Sequence, residues 1–163
     1  MEHRGRELLR YECSTVIAAP PADVFAVVGD LGRTPEWAGS GHIRSITKQT
    51  DGPTGVGTRY RSSEKITMSY RAETEITVYR TDEAIEWISK PAGERVPYHH
   101  WAFHLEPEGD GTRLHHSVRA MRATGLMRWV QGLGFLFTRP RRSIPPGMDR
   151  TLERVKDLAE RRT

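Results

Sequence analysis

The segment from Val16 to Trp37 does most to limit how this chain can fold. An apolar, β-branched run ends at Pro20-Pro21, and a helical pattern starts with no loop between. Proline has no N–H to give a sheet ladder, yet its fixed φ suits the first turn of a helix. Val24, Val27, Val28 and Leu31 then recur at three- and four-residue spacing, the mark of a helix with one buried stripe. A second helix start follows at once, with Thr34 as N-cap, Pro35 at the first helical position and Trp37 on the buried side. The expected order is a strand over 8–18, short helices over 21–31 and 34–38, and then a long run of strands.

Six further strands are expected over 42–49, 56–63, 66–80, 84–89, 97–106 and 112–122, parted by turn residues such as Asp51-Gly52-Pro53 and Thr81-Asp82-Glu83. A two-residue turn at Gly109-Asp110 sets a register in which Leu105 faces Leu114, Phe103 faces His116 and Trp101 faces Val118. Glu106 and Arg113, and His104 and His115, then pair on the opposite, polar face. A turn at Asp82-Glu83 places Val78 opposite Trp87 and carries Met68, Tyr70, Ala72, Thr74 and Ile76 to the inner face, with Arg71, Glu73 and Glu75 outward. Met148, Leu152, Val155 and Leu158/Ala159 form a helical stripe that suits the concave side of such a sheet.

Strand, two short helices, strands and a final helix in this order resemble the SRPBCC superfamily (START, polyketide cyclase/dehydrase and lipid transport) over residues 8–161. The resemblance implies an α+β helix-grip fold: a curved antiparallel sheet of about seven strands wrapped around a long C-terminal helix, with a cavity between them. It does not by itself assign a chemistry. The length of 163 residues and the even composition fit one such domain over 1–163, with 1–7 as a loose N-terminal tail.

Composition limits the alternatives. A formal charge of +4, carried by 21 Arg against 4 Lys, is spread along the chain without a nucleic-acid-binding motif, so no nucleic-acid partner is expected. The single cysteine, Cys13, excludes an internal disulfide. Without a signal peptide or a long apolar run the expected location is the cytoplasm. His99-His100 and His115-His116 invite a metal reading, but neighbours in a strand point to opposite faces, and His104 with His115 lacks a third ligand. No metal and no cofactor is expected.

The inner-face residues define a candidate ligand site: Trp37, Tyr60, Met68, Tyr70, Thr74, Trp87, His99, Trp101, Phe103 and His116, with Leu126, Val130 and Leu152 from the helices. The cavity that the resemblance implies would hold a hydrophobic small molecule such as a lipid, a polyketide or a polycyclic compound. The alternative is a polyketide cyclase/aromatase or dehydratase in the same cavity, with His116 or His99 as base and Tyr70 as proton donor. Gly52–Gly57 resembles a phosphate loop but runs into a strand, which makes it a turn. A three-residue turn near Glu64-Lys65 sends Tyr60 and Ser62 inward, whereas a two-residue turn sends Arg59 and Arg61 inward; the cost of burying an unpaired arginine favours Tyr60.

The run from Gly125 to Phe137 is too short to span a bilayer and too apolar for an ordinary surface helix. Pro140 and Pro145-Pro146 are expected to break or kink the chain before the final helix. The favoured reading is a buried lid or homodimer contact over 125–142; the alternative is transient membrane contact aided by Arg139, Arg141 and Arg142.

Overall fold

A computed structural model describes residues 7–66, 68–95, 97–123 and 125–163, without the side chains of Phe135 and Thr138. Strand β1 (Glu7–Ile17) leads into α1 (Pro21–Val28), a 3-10 turn (Leu31–Arg33) and α2 (Thr34–Trp37). Six strands follow: β2 (Ile43–Lys48), β3 (Arg59–Lys65), β4 (Ser69–Arg80), β5 (Ala84–Pro91), β6 (His99–Glu108) and β7 (Gly111–Met121). Helices α3 (Met127–Thr138) and α4 (Pro140–Glu160) complete the chain. Apart from Glu7, which opens β1, the expected N-terminal tail lies outside the described residues.

The strands form one antiparallel sheet in the order β1-β7-β6-β5-β4-β3-β2. Each hairpin lies beside the next, and β1 returns to close against β7. With α4 laid across its concave side, this is the α+β helix-grip arrangement. Val24, Val27 and Val28 of α1 join Leu152, Val155 and Ala159 of α4 and Ile17, Phe103 and Leu114 of the sheet in one core.

The β6–β7 register matches the turn chemistry: Leu105 pairs with Leu114, Phe103 with His116 and Trp101 with Val118. On the convex face, His104 lies 2.8 Å from Glu86 and His115 3.4 Å from Glu106. The β3–β4 turn spans three residues, since Lys65 pairs with Ser69, and Tyr60 and Ser62 are buried while Arg59 and Arg61 face out.

Two expectations fail. Val78 lies opposite Glu86, not Trp87, because the turn takes three residues, with Arg80 paired to Ala84; an irregularity between Ile76 and Val78 then shifts the ladder again, so that Trp87 pairs with Ile76. Such a bulge reverses which side chains face the core beyond it, and Tyr79 now meets Phe25 edge to face, ring centres 5.3 Å apart. The prolines also behave differently. The chain breaks at Arg139, whose φ of 46° is left-handed, and α4 begins at Pro140 and continues through Pro145 and Pro146. Neither proline can donate to the helix ladder, so the Arg141 and Arg142 carbonyls receive no ladder bond from them.

The loop after α2 is bound to the middle of α4. The Gly39 N–H donates to Thr151 Oγ1 at 2.8 Å, and Arg150 Nε donates to the Gly39 carbonyl at 3.0 Å. Arg154 reaches the Ala38 carbonyl at 2.7 Å. A Cβ at Gly39 would collide with the Gly147 carbonyl and come within 2.6 Å of Thr151 N. Gly39→Ala should therefore lower stability by about 2 kcal/mol through overpacking. Gly132→Ala, where a Cβ meets nothing within 4 Å, should not. Chemical denaturation of the two variants checks this, and equal midpoints would show that the loop does not pack so closely on α4.

Candidate functional site

The concave side of the sheet is not filled along its whole width. Between the first turns of α4, the loop after α2, the inner faces of the sheet and α3 lies a cavity of about 470 Å³. A second depression, lined by Pro20, Pro21, Arg80, Leu105 and Pro107, lies near the hairpin ends, away from this cavity.

One wall of the cavity is a lattice of rings. Trp87 and Trp101, paired across β5 and β6, stack with centres 6.4 Å apart and 13° between planes. Trp101 stacks in turn on His116 at 5.8 Å and lies 5.8 Å from His99. Trp37 stands edge-on to Trp87 at 6.4 Å and to Phe103 at 5.5 Å. The lattice follows from alternation on three neighbouring strands, which sends every second side chain to the same face. Edge-on and offset ring contacts of this kind add to the stabilisation from burial alone.

Within this lattice His116 has a defined protonation state. Its Nδ1 lies 3.0 Å from the Ala102 carbonyl, which can only accept, so Nδ1 carries the hydrogen. Burial holds the His116 pKa down to about 4, the Ala102 bond acting weakly the other way. The ring is neutral at pH 7, and Nε2 is left as a bare acceptor. Burial likewise holds His99 down to about 4, with His100 adding to the effect. The surface that His99 keeps faces the cavity, so it is accessible there and still surrounded by protein.

A polar group occupies the β3–β4 side. Glu64 accepts from the Tyr70 hydroxyl at 2.6 Å and from Ser62 Oγ at 2.8 Å. Burial and then the Glu64 charge push the Tyr70 pKa up, so its proton stays on oxygen. Two donors on the lining, Trp37 Nε1 and Tyr98 Oη, are buried without a hydrogen-bond partner among the described residues.

The structure brings Trp37, Tyr70, Thr74, Trp87, His99, Trp101 and His116 together around the cavity. Tyr60, Phe103 and Leu152 are buried in the core beside it instead. Met68, Leu126 and Val130 are not in the wall: Met68 falls in the β3–β4 turn, Leu126 lies just ahead of α3 and Val130 on its outward side, all well exposed. Glu64 was missed because the strand was expected to stop at residue 63; alternation from Tyr60 and Ser62, carried one step further, places it inward. Tyr98 was missed because alternation from His99 points it to the other face, whereas it lies just ahead of β6 and is buried against the cavity.

Residues 9–160 match the protein family described as polyketide cyclase / dehydrase and lipid transport. An uncharacterized protein of Mycobacterium tuberculosis (strain ATCC 25618 / H37Rv) is 33% identical over 98 residues, 60% of this chain and 41% of that protein. The chain thus spans about two fifths of the length of the curated relatives it matches. Among solved structures, the di-domain ARO/CYC StfQ from the steffimycin biosynthetic pathway superposes with a TM-score of 0.69 at 13% identity, over 94% of this chain and 51% of that one. The Polyketide_cyc-like protein Cgl2372 from Corynebacterium glutamicum gives a TM-score of 0.60 at 22% identity, over 93% of this chain and 91% of that one.

The low His116 pKa has a consequence for stability. A group whose folded pKa lies below its unfolded value favours the fold above the unfolded pKa and loses that favour as pH falls. For His116 the loss runs from about pH 6.5 down to about 4, and it amounts to about 2 kcal/mol at pH 5. Urea midpoints at pH 7 and pH 5 should therefore converge in His116→Gln relative to the unsubstituted chain. An unchanged pH difference would mean that His116 is not buried as a neutral ring.

Proposed function

The chain belongs to the polyketide cyclase/dehydrase and lipid transport family, and we propose that it binds a flat, oxygen-bearing hydrophobic molecule, a polyketide or another polycyclic compound, in the cavity under α4. The observation that carries this reading is the pairing of the ring lattice with unpartnered donors. Trp37, Trp87 and Trp101 offer extended aromatic surface, which favours a planar ligand. Leaving a buried donor without a partner is costly, and Trp37 Nε1 and Tyr98 Oη would be satisfied by carbonyl or ether oxygens on that ligand. His116 Nε2 would accept from a ligand hydroxyl. Apolar walls with a few placed polar groups are the usual make-up of a small-molecule site, and 470 Å³ is an ordinary size for one.

The likeness to an ARO/CYC structure favours a second reading, cyclase/aromatase or dehydratase chemistry on the same ligand. The polar groups support holding over reacting. A base with a pKa near 4 is weak at neutral pH, where effective general bases titrate closer to the working pH. The Tyr70 hydroxyl already donates its hydrogen bond to Glu64. In this reading the chain is a carrier or binding protein, and the cavity groups select the ligand.

Titration with the neutral fluorophore phenyl-naphthylamine should show roughly one site per chain and quenching of tryptophan emission. Trp101→Ala and His116→Ala should each weaken binding about tenfold, the loss of one well-packed ring contact. His104→Ala, on the convex face against Glu86, should leave it unchanged. Equal losses from His104→Ala and His116→Ala would place the binding site elsewhere.

A further inference from the structure

Helix α3 is amphipathic in the inverted sense, its apolar stripe turned away from the protein. Trp129, Val130, Leu133, Leu136 and Phe137 are 52–79% exposed, and Leu126 just ahead of the helix is 80% exposed. At ~100° per residue these six span an arc of about 120°, a single continuous face. Gln131 fixes which way that face looks. It is buried, accepts from the Ala123 N–H at 2.7 Å and donates to the Met121 carbonyl at 2.8 Å, pinning the opposite side of α3 to the end of β7. Gln131 and Gly134 also line the cavity, as do Pro140 and Ile144 at the start of α4, so the outward face lies over the ligand site. The expectation of a lid buried within the chain is thus corrected.

Charge decides what covers this face. No aspartate or glutamate occurs between Asp110 and Asp149, an interval that holds seven arginines. Arg128, Arg139, Arg141 and Arg142 flank the apolar stripe, are exposed, and form no ion pair among the described residues. Arg128 lies over the Trp129 ring at 5.9 Å, at the edge of the stripe. A second copy packed symmetrically on this face would bring the same arginines together, which like-charge repulsion opposes. A helix with one apolar face, bordered by arginines, meets the requirements of the interface of an anionic bilayer.

We propose that α3 and the Arg139–Arg142 turn dock this protein on anionic lipid membranes, with the apolar stripe in the acyl boundary and the arginines at the headgroups. This rests on the exposure of α3 and not on the ligand reading, so either can fail without the other. The test is flotation of the full chain with phosphatidylcholine vesicles, with and without phosphatidylglycerol, at low and high salt. Binding is expected to the anionic vesicles only and to fall steeply with salt. Replacing Arg139, Arg141 and Arg142 by Gln should weaken it roughly fivefold per arginine, equivalent to about 1 kcal/mol each. Trp129→Glu and Leu133→Glu should abolish it. Both positions are exposed, so unchanged melting temperatures would confirm that these variants fold. Equal binding to neutral vesicles would overturn the proposal, and so would no binding at all. A dimer in sedimentation that Trp129→Glu dissociates, with vesicles ignored, would assign the face to a second copy and overturn it equally.

Discussion

The whole structure depends on how a single helix packs across a sheet much wider than itself. A helix with its side chains is about 10–12 Å across, whereas seven strands at ~4.8 Å spacing cover about 29 Å. Helix α4 resolves the mismatch by dividing its length. Its second half sets Leu152, Val155 and Ala159 into the core against α1 and the β1–β7 edge. Its first half, with Pro145 and Pro146 interrupting the ladder, passes over the remaining strands and leaves the cavity beneath. The loop at Gly39 and the side chains of Arg150, Thr151 and Arg154 hold the helix at the point where the two halves meet.

That division explains why the inner face of the sheet changes character along its width. Where α4 packs tightly the core includes aliphatic residues of the sheet such as Ile17 and Leu114. Where it stands off, large rings from β5, β6 and β7 support one another, and Trp37 closes the lattice from α2. Rings that brace each other hold a wall without a helix pressed on it. The same low-polarity surroundings keep His116 and His99 neutral. A histidine held in one tautomer and far from charging is suited to recognising a ligand hydroxyl, which links the packing of the sheet to the proposed binding role.

Much of this was legible in the sequence, and the failures have physical causes. The Pro20-Pro21 stop and the Gly109-Asp110 turn are local signals that set the element order and the β6–β7 register correctly, whereas Thr34 is the first residue of α2 and not its N-cap, its hydroxyl donating to the Leu31 carbonyl. The family match and the seven-stranded sheet agree with the fold expected from that order. The β4–β5 turn takes three residues rather than two, and the irregularity between Ile76 and Val78 has no glycine or proline to mark it, so the expected register is one step off beside the turn and two steps off beyond the irregularity. Helical periodicity shows that α3 has an apolar face but not which way it turns; the long-range bonds of Gln131 decide that. Proline in α4 is expected to break the chain because local propensity opposes it, yet the helix runs through Pro145 and Pro146, ahead of its buried positions, which start at Gly147.

Mass spectrometry of the purified chain under non-denaturing conditions tests the central claim most directly, that the space under α4 is a small-molecule site. The account predicts a complex with one small aromatic or polycyclic molecule, either carried through purification or formed on adding a planar oxygen-bearing compound, released on unfolding and diminished in Trp101→Ala. A chain that stays at its bare mass in the presence of excess polycyclic compound, or an adduct that Trp101→Ala leaves untouched, would contradict it.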